Sequence, residues 1–132
     1  MQLLRDVAIS HLVTVSPESS LRRAAQVMTD RGVGAAVVVE HEKVAGIITE
    51  RDILHAVARS SNMEAISVGE VMTRDVVSAA PGWTIERAVR TMIEGGFRHL
   101  LVCEMDEPVG IVSLRDLMDA TVSLLQESEA SA

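Results

Sequence analysis

At 132 residues and 48% hydrophobic content, the chain holds enough apolar material for one compact domain or two small halves sharing a core. A net charge of −7 argues against a nucleic-acid binder, which needs a positive footprint, and against docking on an anionic membrane. The single cysteine excludes an internal disulfide and a Cys-rich metal site, and no apolar run approaches the roughly 20 residues of a membrane span or forms a signal peptide at the N-terminus, so a soluble, cytoplasmic protein is expected.

Taken in order, the elements occur twice at an offset of 64 residues. Gly46-Ile47-Ile48-Thr49-Glu50-Arg51-Asp52-Ile53-Leu54 returns as Gly110-Ile111-Val112-Ser113-Leu114-Arg115-Asp116-Leu117-Met118, and Pro17, Met28 and Gly32 return as Pro81, Met92 and Gly96. Each repeat opens on a short strand, near Leu12–Val15 and Val76–Ala79, followed by a proline turn. Ser20 and Thr84 suit helix N-caps. Leu21, Ala24, Ala25 and Met28, then Ile85, Ala88, Val89 and Met92, fall at i, i+3, i+4 and i+7, one apolar helical stripe made twice. Gly32 and Gly96 sit where a helix ends.

A strand follows in each repeat, Ala35–Val39 and His99–Cys103. A charged turn and a second strand, Val44–Ile48 and Val109–Val112, complete an expected antiparallel hairpin. The last helix starts after Thr49 or Ser113. The order is β-α-β-β-α, taken twice. Repeat one is set at residues 6–60, a linker at 61–69, repeat two at 70–125 and a loose polar tail at 126–132. With Trp83 and Phe97 the only aromatics, the core is expected to be aliphatic. A half of about 64 residues buries only roughly 60% of its unfolded surface, so the halves are expected to need each other.

The chemistry concentrates at the hydroxyl-x-x-Asp pairs, Thr49 with Asp52 and Ser113 with Asp116. This spacing makes a capping box, in which hydroxyl and carboxylate satisfy free N–H groups at a helix start. The same arrangement receives a phosphate at the helix N-terminus and a ribose diol at the carboxylate. Arg51 and Arg115 stand beside the pairs, as ligand contacts or as solvated helix residues. Arg98 and His99 open a strand and can meet phosphate, whereas the first repeat has Gly34 and Ala35 there, so two sites should not bind alike. Thr14, Ser16, Ser78 and Ala80 lie on the first strands, either as walls offering backbone amides to a purine edge or as plain edge strands.

Enzymatic signals are poor. His11, His41, His55 and His99 lack metal-ligand spacing. Cys103 lies in an apolar strand where packing is the expected role. The acidic run Glu104–Glu107 suits a solvated turn, not a calcium loop. No Gly-rich phosphate loop occurs, and the methionines suit core filling.

The ordered set, in duplicate over about residues 6–125, resembles the CBS domain, named after cystathionine β-synthase; two tandem copies resemble a CBS pair, or Bateman module. Val71-Met72-Thr73 also resembles the lead-in usual in that family. The resemblance implies an α+β (α/β) fold of two repeats packed through their sheets about a pseudo-twofold axis, with ligand binding in place of catalysis. It implies adenine nucleotides (AMP, ADP, ATP) or S-adenosylmethionine as ligands in the cleft between the repeats, with no obligatory cofactor. Asp52 and Asp116 would hold ribose, Thr49 and Ser113 would reach phosphate, and Arg98 with His99 would hold phosphates. It implies a homodimer joined through helices and, with no catalytic domain in the chain, a separate protein target. The alternative is a structural dimerisation or protein-interaction module without a physiological nucleotide, its motif residues serving only as caps.

Overall fold

The computed structural model describes residues 2–7, 12–60 and 62–131, with the backbone alone at 130 and 131. His11, Ser61 of the expected linker and Ala132 of the tail lie outside the described residues. The chain forms two compact units, one of Leu12–Val76 and the other of Val77–Ala132 joined by the N-terminal segment Met1–His11.

In the Leu12–Val76 unit, β1 (Thr14–Val15), α1 (Leu21–Arg31), β2 (Ala35–Glu40), β3 (Lys43–Thr49), α2 (Glu50–Arg59) and α3 (Val68–Val71) follow in order. The other unit holds a short 3-10 turn (Leu4–Asp6), β4 (Ser78–Ala79), α4 (Ile85–Gly95), β5 (His99–Glu104), β6 (Glu107–Ser113) and α5 (Leu114–Ser131). Each unit has a three-stranded sheet, β1-β2-β3 or β4-β5-β6, with the first pair parallel and the hairpin antiparallel. The expected β-α-β-β-α order therefore holds, although the first strands are only two residues long.

Local chemistry accounts for most element ends. Ser20 and Thr84 each accept a backbone N–H three residues on, both at 3.1 Å. Gly32 and Gly96 close α1 and α4 in the left-handed region, at φ of 66° and 71°, where a Cβ is disfavoured. The proline turns close through Ser19 N–H to Ser16 C=O at 3.1 Å and Trp83 N–H to Ala80 C=O at 3.0 Å. The hairpins turn on His41-Glu42 and Met105-Asp106, all four at positive φ.

Each unit has its own core, aliphatic as expected. Ala36, Val38 and Ile48 pack with Leu21, Ala24 and Met28 in one. Leu100, Val102 and Val112 pack with Ala88, Met92 and Leu117 in the other. Alternate residues on the opposite sheet faces, Ala35, Val37 and Ile47, and Leu101 and Ile111, are buried as well.

Parts of the expected linker and tail carry regular structure. Ile66 C=O accepts the Leu21 N–H at 2.8 Å, Ser19 C=O accepts the Val68 N–H at 2.8 Å, and Val68 is fully buried. Residues 66–72 are thus a structural part of the first unit, because an apolar Ile-Ser-Val run gains more by covering the end of α1 than by lying in water. The N-terminus does the same 64 positions earlier: Gln2 C=O accepts the Ile85 N–H at 3.3 Å, Trp83 C=O accepts the Leu4 N–H at 2.8 Å, and Leu4 is fully buried. Each unit is closed by the segment that precedes the other repeat in sequence. Residues 126–131 continue α5 as helix, with 126–129 exposed.

Candidate functional site

Each hydroxyl-x-x-Asp pair lies where the last strand of a unit turns into a helix. Thr49 Oγ1 accepts the Asp52 N–H at 3.2 Å, and the Asp52 carboxylate accepts the Thr49 N–H at 3.0 Å. Ser113 Oγ accepts the Asp116 N–H at 3.0 Å, and the Asp116 carboxylate accepts the Ser113 N–H at 2.9 Å. Both are reciprocal capping boxes. Capping leaves much of the chemistry unspent. A hydroxyl that accepts still has its own hydrogen to donate, and a carboxylate offers about four acceptor positions.

Strand register decides what stands beside each pair. Ser113 is opposite His99, and the Leu114 N–H donates to the Arg98 C=O at 2.8 Å. Arg98, His99, Ser113 and Asp116 are thereby gathered at the start of α5, where unpaired N–H groups and the helix dipole favour an anion. Arg98 is exposed and forms no ion pair among the described residues, His99 is half-buried, and Arg115 is exposed on the first turn of α5. In the other unit Thr49 is opposite Ala35, and the Glu50 N–H donates to the Gly34 C=O at 2.9 Å. That corner has the same backbone without a cation on the adjacent strand; its Arg51 is exposed on α2.

A residue with no place in the sequence-derived site also reaches it. Thr73 Oγ1 lies 3.4 and 3.5 Å from the two carboxylate oxygens of Asp52. No spacing rule connects residues 21 apart, so local pattern could not have found this contact.

Asp116 also opens on a groove of about 330 Å³ with Asp6, Asp119, Ser123 and Glu127, floored by Val7, Ala120 and Leu124. The buried side-chain oxygen of Gln2, which lines it too, has no hydrogen-bond partner among the described residues. The corner is therefore bipolar: carboxylates lie on the groove side, and the Arg98 cation lies at the start of β5. An anion is favoured only on the second.

The first-strand residues lie elsewhere in their units. Thr14 pairs with Val37 and is exposed, while Thr49 pairs with Ala35, two residues earlier on β2 and on its other side. Thr14 and Ser16 line a separate groove of about 360 Å³ with Ser19, Arg23, Val27 and Val39, and the Ser16 hydroxyl donates to Glu18. Ser78 and Ala80 are exposed, and Ser78 is hydrogen-bonded to the half-buried Cys103 thiol. In this unit Trp83 stands where the other has Ser19, and it holds Arg87, its guanidinium carbon 3.8 Å from the ring centroid.

Burial pushes the Cys103 thiol above its usual value, and Asp106 and Glu107 add to this against the Ser78 hydrogen bond. Among the described residues, no three His, Cys, Asp or Glu side chains are grouped to hold a metal ion, and no helix is long and apolar enough to cross a membrane.

The family model for the CBS domain matches residues 4–59 and 68–123. The CBS domain-containing protein YhcV of Bacillus subtilis is 33% identical over all of this chain and 93% of its own length. The crystal structure of the CBS-domain containing protein ATU1752 from Agrobacterium tumefaciens superimposes with a TM-score of 0.83 at 32% identity, over 91% of this chain and 99% of that one. The CBS domain pair of protein MJ0100, solved in complex with methylthioadenosine and S-adenosyl-L-methionine, has the same fold, with a TM-score of 0.84 at 23% identity over 93% of this chain and 98% of that one.

Proposed function

The chain belongs to the CBS domain family, as two tandem repeats, and from that premise we propose that it is a regulatory module that binds an adenosine-containing ligand and signals its presence to a partner protein. The observation that carries this reading is the gathering of Arg98, His99, Ser113 and Asp116 at the start of α5. One carboxylate with acceptor positions to spare suits a ribose diol. The Ser113 hydroxyl at a helix N-terminus, with Arg98 on the adjoining strand end, suits a phosphate. The acidic groove beyond Asp116 sets the polarity, since a phosphate turned toward Asp119 and Glu127 is repelled. The methylthioadenosine and S-adenosyl-L-methionine of the MJ0100 complex support an adenosine-containing ligand, and we take AMP, ADP, ATP and S-adenosylmethionine as the candidates. Signalling requires the ligand to bind one conformation of the protein better than another.

The test is isothermal titration of ligand-stripped protein with those four compounds. Saturable binding is expected, weakened about 5- to 100-fold by Asp116→Asn, which removes the charge but keeps a capping acceptor. Silence across the panel with folded protein would sink the reading.

A second reading has its own observation. Leu54 on α2 is 66% exposed, and Met118, Val122 and Leu125 on α5 are 59%, 51% and 60% exposed. These apolar faces support a homodimer joined through helices, with or without a nucleotide. Sedimentation equilibrium separates the two: a dimer that is unaffected by Leu54→Glu removes this reading.

A further inference from the structure

We propose that Thr73 is a built-in competitor for the ligand diol, so that the Thr49/Asp52 corner fills after, and more weakly than, the Ser113/Asp116 corner. The inference rests on the adenosyl-binding reading above and adds a control element within it.

Thr73 is not a loose neighbour of Asp52. Its N–H donates to the Ile47 C=O and its C=O accepts the Ile47 N–H, both at 2.9 Å, so the residue is held as a short extra pairing on β3. Gly46 permits this closeness: a Cβ there would lie 2.6 Å from the Thr73 carbonyl oxygen and 3.0 Å from the Met72 sulfur. The clasp leaves the hydroxyl facing both carboxylate oxygens of Asp52, at 3.4 and 3.5 Å. Those are the positions a vicinal diol would take. Both contacts are longer than the roughly 2.7–2.8 Å of an ordinary O–H···O bond, so a ligand hydroxyl at normal distance prevails once it arrives. It must first displace the threonine, and that requirement lowers affinity.

Among the described residues, the other corner carries no such element. Among the described residues, the Asp116 carboxylate accepts only the Ser113 N–H. The residue 64 positions before Thr73 is Ile9, which has no hydroxyl. Among the described residues, two corners of nearly equal backbone geometry thus differ in whether a side-chain hydroxyl faces the carboxylate.

The experiment isolates the Asp52 corner with Asp116→Ala and compares Thr73 with Thr73→Val, Thr73→Ala and Thr73→Ser by titration with AMP and with 2′,3′-dideoxyadenosine 5′-monophosphate. Valine keeps the β-branched shape and the backbone pairing, and thermal unfolding checks that each variant is folded. Both hydroxyl-free variants should bind AMP about 3- to 10-fold more tightly than the Thr73 parent, the Thr73→Ser variant should match the parent, and the gain should vanish with the dideoxy analogue. Unchanged or weaker AMP binding in Thr73→Val, while the unmodified protein binds AMP, would overturn the inference alone. An equal gain with both compounds would overturn it too, since no diol would be contested. No binding by any variant or by the unmodified protein would overturn the inference together with the reading beneath it.

Discussion

His99 stands directly across the β5–β6 ladder from Ser113, whereas at the equivalent place in the other unit Ala35 faces Thr49 and is 4% exposed. The duplicated hydroxyl-x-x-Asp pair therefore meets two different neighbours. Converting Arg98-His99 to the Gly-Ala of the first repeat should weaken AMP binding about 10- to 100-fold, the effect of losing charge-assisted hydrogen bonds. The fold should hold, because Arg98 is exposed and His99 only half-buried. Titration checks the first part and circular dichroism the second. Undiminished affinity would remove both residues from the site.

The hairpin turns are a reservoir of strain. His41 and Glu42 have φ of 52° and 64°, and Met105 and Asp106 repeat those values. Two-residue turns of this kind favour Asn-Gly, since other side chains at positive φ crowd the backbone. Replacing His41-Glu42 or Met105-Asp106 by Asn-Gly should raise stability by about 1 kcal/mol for each turn. Urea unfolding measures it, and a fall in midpoint would contradict the strain argument.

Two glycines should resist alanine for different reasons. Gly46→Ala places a Cβ 2.6 Å from the Thr73 carbonyl oxygen, and the clasp must open at a cost of about 1–3 kcal/mol. Gly32→Ala meets no atom within 4 Å but keeps a φ of 66°, which costs about 1 kcal/mol. Gly46→Ala should in addition move Thr73 from Asp52 and alter AMP binding at that corner. Gly32→Ala should not. Equal binding phenotypes would argue against the clasp.

Stability should fall at both ends of the pH scale through identifiable groups. Burial raises the Cys103 thiol above its usual value of 9.0, so its contribution is complete below that pH and is lost as pH rises through the higher folded-state value. Cys103→Val should flatten the alkaline limb of stability against pH. The Ser67 N–H, 2.7 Å from its carboxylate, and then the Ser67 hydroxyl hold Glu70 below the usual 4.5. That contribution is present above 4.5 and is lost as pH falls through the lower folded-state value. Glu70→Gln should flatten the acid limb. Limbs that stay as steep in these variants would place the titrations elsewhere.

Much of this molecule is local and therefore legible in the chain. Ser20, Thr84, Gly32 and Gly96 act within one helical turn of themselves. The Thr49/Asp52 and Ser113/Asp116 boxes close over three residues, and the apolar stripes follow the helical period. Arg98 and His99 could be joined to Ser113 because a tight hairpin fixes register. What escaped the sequence reading depends on contacts without a characteristic spacing. Residues 66–69 fall in the expected linker, yet Ile66 and Val68 find an apolar surface in the first unit's core, and the small polar tail joins α5 because the preceding helix is already nucleated.

By itself, the amino-acid sequence determined the duplication, the order and caps of the elements, and which residue types stand at each helix start, since those rest on interactions between near neighbours in the chain. The tertiary structure alone decided that each unit is closed by the segment preceding the other repeat, that Thr14 and Ser16 line a groove with Arg23 and Val39, that Asp116 borders an acidic groove, and that the Thr73 hydroxyl faces Asp52. Those outcomes follow from burying Leu4 and Val68 against distant helices and from the room that Gly46 leaves beside β3, and neither leaves a periodic mark in the sequence.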